Sequence, residues 1–251
     1  MKALLFDFED GSKVLGSEKE IEKIFEYPVL RPPTWDAFTE TLTSLYTFKN
    51  TIVTKKIGSL EIKETQPSVV LKNGTEVNAI ILDTFSELSK KYQRSLTDKD
   101  GKMKMQNWGK MKNKLDLLLE FISKMPGIVI LNVHSKIKDL DDGETIVLPY
   151  IDGSTKEDIS KWFDFVFYTR AITTPNGKTK YVWHTRQSSR YINAKDRTQL
   201  LDDEIPQDFQ IVLEAAREKQ YKSCKILVIG SPGSGKTLAL KTLVRKEKNG
   251  D

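Results

Sequence analysis

The residues best suited to chemistry stand in one run, Gly230-Ser231-Pro232-Gly233-Ser234-Gly235-Lys236-Thr237. It satisfies G-x-x-x-x-G-K-[ST], with the apolar stretch Lys225–Ile229 before it and a helical pattern from Lys236 after it. Glycines let such a backbone curl until successive N–H groups converge on a β-phosphate at a helix N-terminus. Lys236 is then placed to neutralise β- and γ-phosphate charge, and the Thr237 hydroxyl to coordinate Mg²⁺. The predicted ligands are ATP and Mg²⁺. The competing reading is an ordinary strand–turn–helix with a chance lysine, and the complete motif in its context weighs against it.

A phosphate loop of this kind needs a metal-orienting carboxylate at the end of a neighbouring strand. Ala79-Ile80-Ile81-Leu82-Asp83 offers one in Walker B form, although many strands end in aspartate. Hydrolysis also needs a group that orients or deprotonates water. Asp7 and Glu9 stand at the tip of an apolar run, Ala3–Phe8, and Glu9 is the better placed because it lies beyond the strand end. The alternative for both is a solvated acidic turn.

The elements that must position these groups follow from periodicity. Ala3–Phe8, Val77–Leu82, Gly127–Val133 and Lys225–Ile229 read as buried strands. Helical spacing is present over Ser17–Phe25, from Trp35 behind the N-cap Thr34, from Ser86 to Tyr92, and over Asn107–Lys124. Thr51–Leu71 reads as short β-rich pieces closed by a hairpin turn at Asn73-Gly74. Phe163–Ala171 and Lys180–Arg186 form a hairpin about Pro175-Asn176-Gly177, and Lys136–Thr155 reads as loop. Buried strands alternating with helices predict an α/β fold, a mostly parallel sheet covered on both faces.

Composition narrows the class. With 251 residues, 38% hydrophobic and 30% charged, the chain has an ordinary globular balance, which excludes fibrous and disordered classes. No apolar stretch approaches a membrane span, and Asp7, Glu9 and Asp10 interrupt the first apolar run, so neither membrane partner nor signal peptide is expected. The single cysteine, Cys224, allows no internal disulfide and points to a reducing cytoplasm. Two histidines and one cysteine make a zinc cage improbable. A net charge of +5 permits a nucleic-acid partner without requiring one.

The order of the motifs is unusual. A phosphate loop ordinarily precedes its Walker B strand, yet here it follows, with only a helix after it. Joining the last residue to the first restores the usual order, with the helix from Lys236 leading through Asn249-Gly250-Asp251 into the strand at Met1–Phe8. The expectation is one circularly permuted domain over residues 1–251, with Walker A strand, loop and helix at 225–251 and an insertion at 51–71. Close termini make such a rotation sterically possible. A domain-swapped loop serving a neighbouring chain is the alternative.

In that rotated order the motifs resemble the RecA-like core of phage recombination ATPases, the Sak-type single-strand-annealing family. SPGSGKT at Ser231–Thr237 corresponds to the loop, and LLFDFEDG at Leu4–Gly11 resembles the D-x-E strand whose glutamate is the catalytic base. IILDTFSEL at Ile80–Leu88 resembles Walker B, and MQNWGKMKNKL at Met105–Leu115 the helix before the next strand. ILNVHSK at Ile130–Lys136 is similar to the strand carrying a polar sensor of the γ-phosphate, with His134 the closest match. AKDR at Ala194–Arg197 resembles a late basic motif, so the resemblance implies that Lys195 and Arg197 reach a neighbour's ATP. His134 as a strand-end residue satisfied by backbone, and Lys195 and Arg197 as surface salt-bridge formers, are equally open. The permuted order and the 51–71 segment depart from the family pattern.

The resemblance further implies that the loops after the Walker B helix and after the sensor strand hold single-stranded DNA. The matching segments are Arg94–Asn107, with Arg94, Lys102 and Lys104, and Lys136–Thr155, with Lys136 and Lys138. Asp98, Asp100, Asp139, Asp141 and Asp142 interrupt them, and solvated mobile loops are the bland alternative. The leading expectation is an ATP-hydrolysing, single-stranded-DNA-binding recombination protein in the cytoplasm of a phage-infected bacterium. It would assemble as a ring or filament and cooperate with a single-strand-binding protein. The alternatives are a DNA- or protein-remodelling motor and a nucleotide-gated binding module without useful turnover. A GTPase is disfavoured, because Asn193-Ala194-Lys195-Asp196 misplaces the lysine of N-K-x-D.

Overall fold

A computed structural model describes residues 1–72, 74–141 and 143–244. The chain runs through β1 (Ala3–Asp7), α1 (Glu18–Phe25), α2 (Trp35–Leu45), β2 (Tyr46–Ile57), β3 (Leu60–Leu71), β4 (Ala79–Asp83) and α3 (Phe85–Leu96). It continues through α4 (Met105–Ser123), β5 (Gly127–Asp139), β6 (Thr145–Pro149), α5 (Thr155–Asp158), β7 (Phe165–Thr173) and β8 (Thr179–His184). The last elements are β9 (Lys195–Asp196), β10 (Glu204–Pro206), α6 (Phe209–Glu218), β11 (Ser223–Gly230) and α7 (Lys236–Ala239).

The main sheet has the order β1-β4-β5-β11-β7-β8-β10. Its first five members in that order are parallel, while β8 and β10 add antiparallel at one edge. Side-chain alternation sorts each strand's residues onto two faces. Leu4, Phe6, Ile80, Leu82, Leu131 and Ile229 share one apolar core with α2, α3 and α4. Leu5, Ile81, Ile130 and Val228 share the other with α1, α6 and the chain after α7. The mostly parallel sheet with helices on both faces is therefore as expected.

Local signals set the helix starts. Ser17 and Glu20 form a capping box on α1, and the Thr34 hydroxyl accepts the Ala37 N–H at 3.1 Å on α2. The sequence reading overlooked α6, which Asp208 caps through the Gln210 N–H at 2.9 Å.

Three expectations need correction. The 51–71 segment is not a set of short pieces: β2 and β3 are 12 residues each and form one two-stranded arm, starting at Tyr46. Its turn lies between Ile57 and Leu60, where Gly58 has φ +62°, and not at Asn73-Gly74; Asn73 itself lies outside the described residues. Lys136–Thr155 is not a loop, because β5 runs on to Asp139 and pairs with β6. The exposed, polar end of β5 at Lys136–Asp139 hid the strand, although its partner β6 is buried from Ile146 to Pro149 and reaches the core through Val147. The last helix is described only to Val244, so the expected helix to Glu247 and the turn at Asn249–Asp251 lie outside the described residues.

Candidate nucleotide site

The carboxyl ends of four parallel strands bring the site together. Register places Asp7 of β1 beside Asp83 of β4, Asp83 beside Asn132 of β5, and Gly230 of β11 beside His134 of β5. In open α/β sheets, ligands bind outside this edge.

The loop after β11 is shaped by close approaches. A Cβ on Gly230 would lie 1.6 Å from Thr169 Oγ1, so a side chain here is sterically excluded. The Thr169 hydroxyl donates to Ser234 Oγ at 2.8 Å, and Gln207 Nε2 donates to the Ser234 carbonyl at 3.0 Å. Gly235 has φ +87°, which a side chain would strain, and α7 starts there with no side-chain cap on its N–H groups. Lys236 is buried and donates to the carbonyls of Gly230 and Ser231, each at 2.9 Å. Burial pushes its ammonium below the usual lysine range, against the pull of Asp83 and Glu9.

Asp83 is fully buried. Its Oδ2 accepts the Thr237 hydroxyl at 2.6 Å, and its Oδ1 accepts Asn132 Nδ2 at 3.1 Å. Burial raises its carboxyl above the ordinary value, opposed by those two hydrogen bonds and assisted by the charges of Asp7 and Glu9. Because Thr237 donates its proton to Asp83, the lone pairs of its Oγ remain free to ligate. A hydroxyl oxygen beside a buried, under-neutralised carboxylate is a hard-oxygen donor set, which fits Mg²⁺. Among the described residues no cluster of three His, Cys, Asp or Glu side chains forms a metal site, so phosphate oxygens would complete the coordination.

Glu9 and Asp7 divide their tasks. Asp7 is buried and accepts the N–H groups of Glu9, Gly11 and Ser12 at 3.2, 3.1 and 3.0 Å, and also the Ser12 hydroxyl. It thereby builds the turn. Glu9 leaves that turn as an exposed residue with a partly covered side chain, its Oε2 2.9 Å from His134 Nε2. Burial would raise its carboxyl, but the hydrogen bond and charge of His134, with Lys236 and Thr84, bring it below the usual glutamate value. The His134 N–H donates to Ser86 Oγ at 2.9 Å, which fixes the strand end that carries the imidazole.

A cleft of about 490 Å³ opens between Glu9 and His134 on one side and Pro232–Leu238 on the other. Val14, Tyr181 and Leu238 line it and are exposed, which makes an apolar wall next to a polar cradle. Sequence reading had missed these three, together with Thr169, Gln207, Ser86 and Asn132. Only Asn132 carried a local signal, as a polar residue inside the apolar run GIVILNV.

The structure thus brings Glu9, Asp83, His134, Lys236 and Thr237 together. It does not bring Lys195 or Arg197 to them. Both stand by the amino-terminal end of β7, where Lys195 Nζ donates to the Ser160 carbonyl at 2.7 Å and Arg197 pairs with Asp164 at 2.9 Å. The expected DNA contacts are all exposed, but on regular elements: Arg94 in α3, Lys102 in a turn, Lys104 at the start of α4, and Lys136 and Lys138 on β5. Asp98, expected as an interruption, organises that turn by accepting the N–H groups of Asp100 and Lys102 at 3.0 and 2.8 Å.

A family model described as an AAA domain matches residues 1–198, which leaves the loop at Gly230–Thr237 beyond the matched stretch. No curated protein and no solved structure matches the chain. Among the described residues no helix is long and apolar enough to cross a membrane.

Proposed function

The chain belongs to the AAA-domain family of P-loop ATPases, and from that premise we propose that it is a RecA-like ATPase that acts on single-stranded DNA in recombination, by annealing or strand exchange. The observation that carries the ATPase reading is the convergence of Lys236, Thr237, Asp83 and Glu9 at one sheet edge. The loop from Gly230 to Thr237 would cradle the triphosphate, with the base against Val14, Tyr181 and Leu238. Thr237 and Asp83 would hold Mg²⁺, whose charge offsets that of the phosphate oxygens. Glu9, ionised at neutral pH, accepts the proton of a water molecule in the cleft. His134 positions the Glu9 carboxylate and lines the same cleft, where it would exchange that contact for a terminal phosphate oxygen.

The circularly permuted reading is supported by β11, which is last among the described strands yet lies between β5 and β7. Met1 and Val244 also pack against the same core face.

DNA contact is supported at the β5–β6 strand pair. Tyr150 has Lys90 and Lys136 at 4.8 and 5.6 Å from its ring centre, and its N–H donates to the His134 carbonyl at 2.6 Å. Lys138 lies on the same strand pair, and Arg94, Lys102 and Lys104 extend the basic surface. A cation-flanked aromatic joined by backbone to the phosphate-facing histidine suits a strand-binding surface that responds to nucleotide. Assembly into a ring or filament, Lys195 and Arg197 acting on a neighbour's nucleotide, and a single-strand-binding protein as partner belong to the same proposal.

The test is ATP turnover with and without single-stranded DNA at low and moderate salt. Stimulation that fades with salt and is lost in Lys236→Ala and Glu9→Gln is expected. Turnover indifferent to DNA would favour a protein-remodelling motor, and nucleotide binding without turnover a gated module.

A further inference from the structure

The opposite end of the sheet, where β11 and β7 begin, carries a second cleft, away from this chain's phosphate loop. Its volume is about 540 Å³, and it is bounded by the turn before β7, the segment joining α6 to β11, and the end of α4. Four cations line it: Lys161, Arg197, Lys222 and Lys225. The one lining carboxylate is Asp164, and both its oxygens are already engaged. Oδ1 accepts Arg197 at 2.9 Å, and Oδ2 accepts the backbone N–H of Lys225 at 2.9 Å.

Lys225 is the telling residue. It is 2% exposed, yet its ammonium has only a 3.3 Å contact with the Gly127 carbonyl. Among the described residues neither Lys225 nor Lys222 forms an ion pair. Asp164 is the nearby counter-charge but pairs with Arg197 and the Lys225 backbone N–H, and a buried ammonium held only at a distance from its counter-charge is costly. Burial pushes Lys225 down to about 8, and the residue lies at the wall of an open cleft. The aromatic side chains of Trp162 and Tyr221 flank the cations, with Lys161 Nζ 5.1 Å from the Trp162 ring centre.

We propose that this cleft is a phosphate-ester site that takes one nucleotide unit, free or within a single strand. The phosphate meets Lys225, Lys222 and Arg197, and the base lies against Tyr221 or Trp162. Inorganic phosphate alone would leave most of the volume and both aromatics unused. The site stands apart from the phosphate loop and does not depend on the ATPase reading.

Binding is measured without Mg²⁺ in a Lys236→Ala background, so that the phosphate loop contributes least. The probes are fluorescein-labelled oligo-dT of about 12 nucleotides, within the span of common single-strand sites, thymidine monophosphate and inorganic phosphate. Lys222→Glu and Lys225→Met are each expected to weaken the dT complex by about 5-fold or more, while the remote exposed Lys19→Glu changes it less than about 2-fold. Matching loss of thymidine monophosphate binding assigns a free-nucleotide site, and loss confined to oligo-dT assigns a strand site. Unchanged affinity for both probes in both variants overturns the proposal, as does inorganic phosphate binding as tightly as the monophosphate. Lys222 is exposed, so its variant keeps the test decisive even where Lys225→Met does not fold.

Discussion

At Glu9, burial and electrostatics act in opposite directions, and the direction of the balance sets the expected pH behaviour. Burial alone favours the neutral acid, but the His134 hydrogen bond and charge, with Lys236 and Thr84, hold the carboxyl below its ordinary value. A general base must be ionised to accept a proton, so the acid limb of the kcat/KM profile, which reports the free enzyme, should fall below the usual glutamate range. His134→Ala removes the largest ionising influences and leaves the burial, so that limb should move to higher pH. Glu9→Gln should retain nucleotide binding and lower turnover by about 10²- to 10⁴-fold. A pH–rate profile and a nucleotide titration on both variants check this. A His134→Ala limb that stays in place would remove histidine from the positioning role. The stability counterpart has the same sign: a depressed folded-state value stabilises above the unfolded value, and that contribution is lost as pH falls through the folded one.

Among the elements, the arm of β2 and β3 stands apart from the two cores. Its base is anchored: Tyr46 and Val69 are buried, the Phe48 and Phe121 ring centres are 4.8 Å apart, and the Lys72 N–H bonds the Leu45 carbonyl at 2.9 Å. Beyond that base, Ile52, Leu60 and Ile62 are exposed. An isolated two-stranded hairpin contributes little to global stability. Register pairs Phe48 with Val69, so replacing Lys49–Ser68 by an Asn-Gly turn closes the arm at its root. The shortened chain should unfold within about 1 kcal/mol of the parent, because none of the described side chains among the deleted residues belongs to either core. Urea denaturation measures it, and a loss of several kcal/mol would show that the arm supports the sheet. Helix α2 is different in kind, since Phe38 meets Phe6 edge-on at 5.1 Å and Phe8 at 5.5 Å.

Across the whole molecule, the last described strand occupies an interior position. β11 pairs with β5 along eight residues, Ser223 to Gly230, and with β7 along four, Ile226 to Ile229, so the sheet cannot close until this strand arrives. The permuted reading then makes a specific demand. A chain rotated so that residues 222–251 precede Met1, joined through a short Gly/Ser linker, should fold to the same sheet and bind ATP. Its unfolding midpoint should lie near that of the parent, because every strand pair is kept and only the connection changes. Failure of the rotated chain to fold, with the parent stable, would count against rotation as the origin of the order.

Sequence reading reached furthest where a short run contains its own physics. The phosphate loop, the buried strands ending at Asp7, Asp83 and Gly230, and the capped start of α2 are each determined within a few residues, by turn stereochemistry, apolar runs and side-chain capping. Those runs also determined the carboxylates at the ends of β1 and β4. Only the tertiary structure decided which ends meet. Asp83 reaches Thr237 across 154 positions and Glu9 reaches His134 across 125, through register between parallel strands that no local pattern encodes. The same holds for Thr169 and Gln207 behind the loop and Tyr181 beside it, whose residue types are ordinary. The sheet likewise set Lys195 and Arg197 at its far end, because a strand's direction, not its composition, decides which end faces the nucleotide.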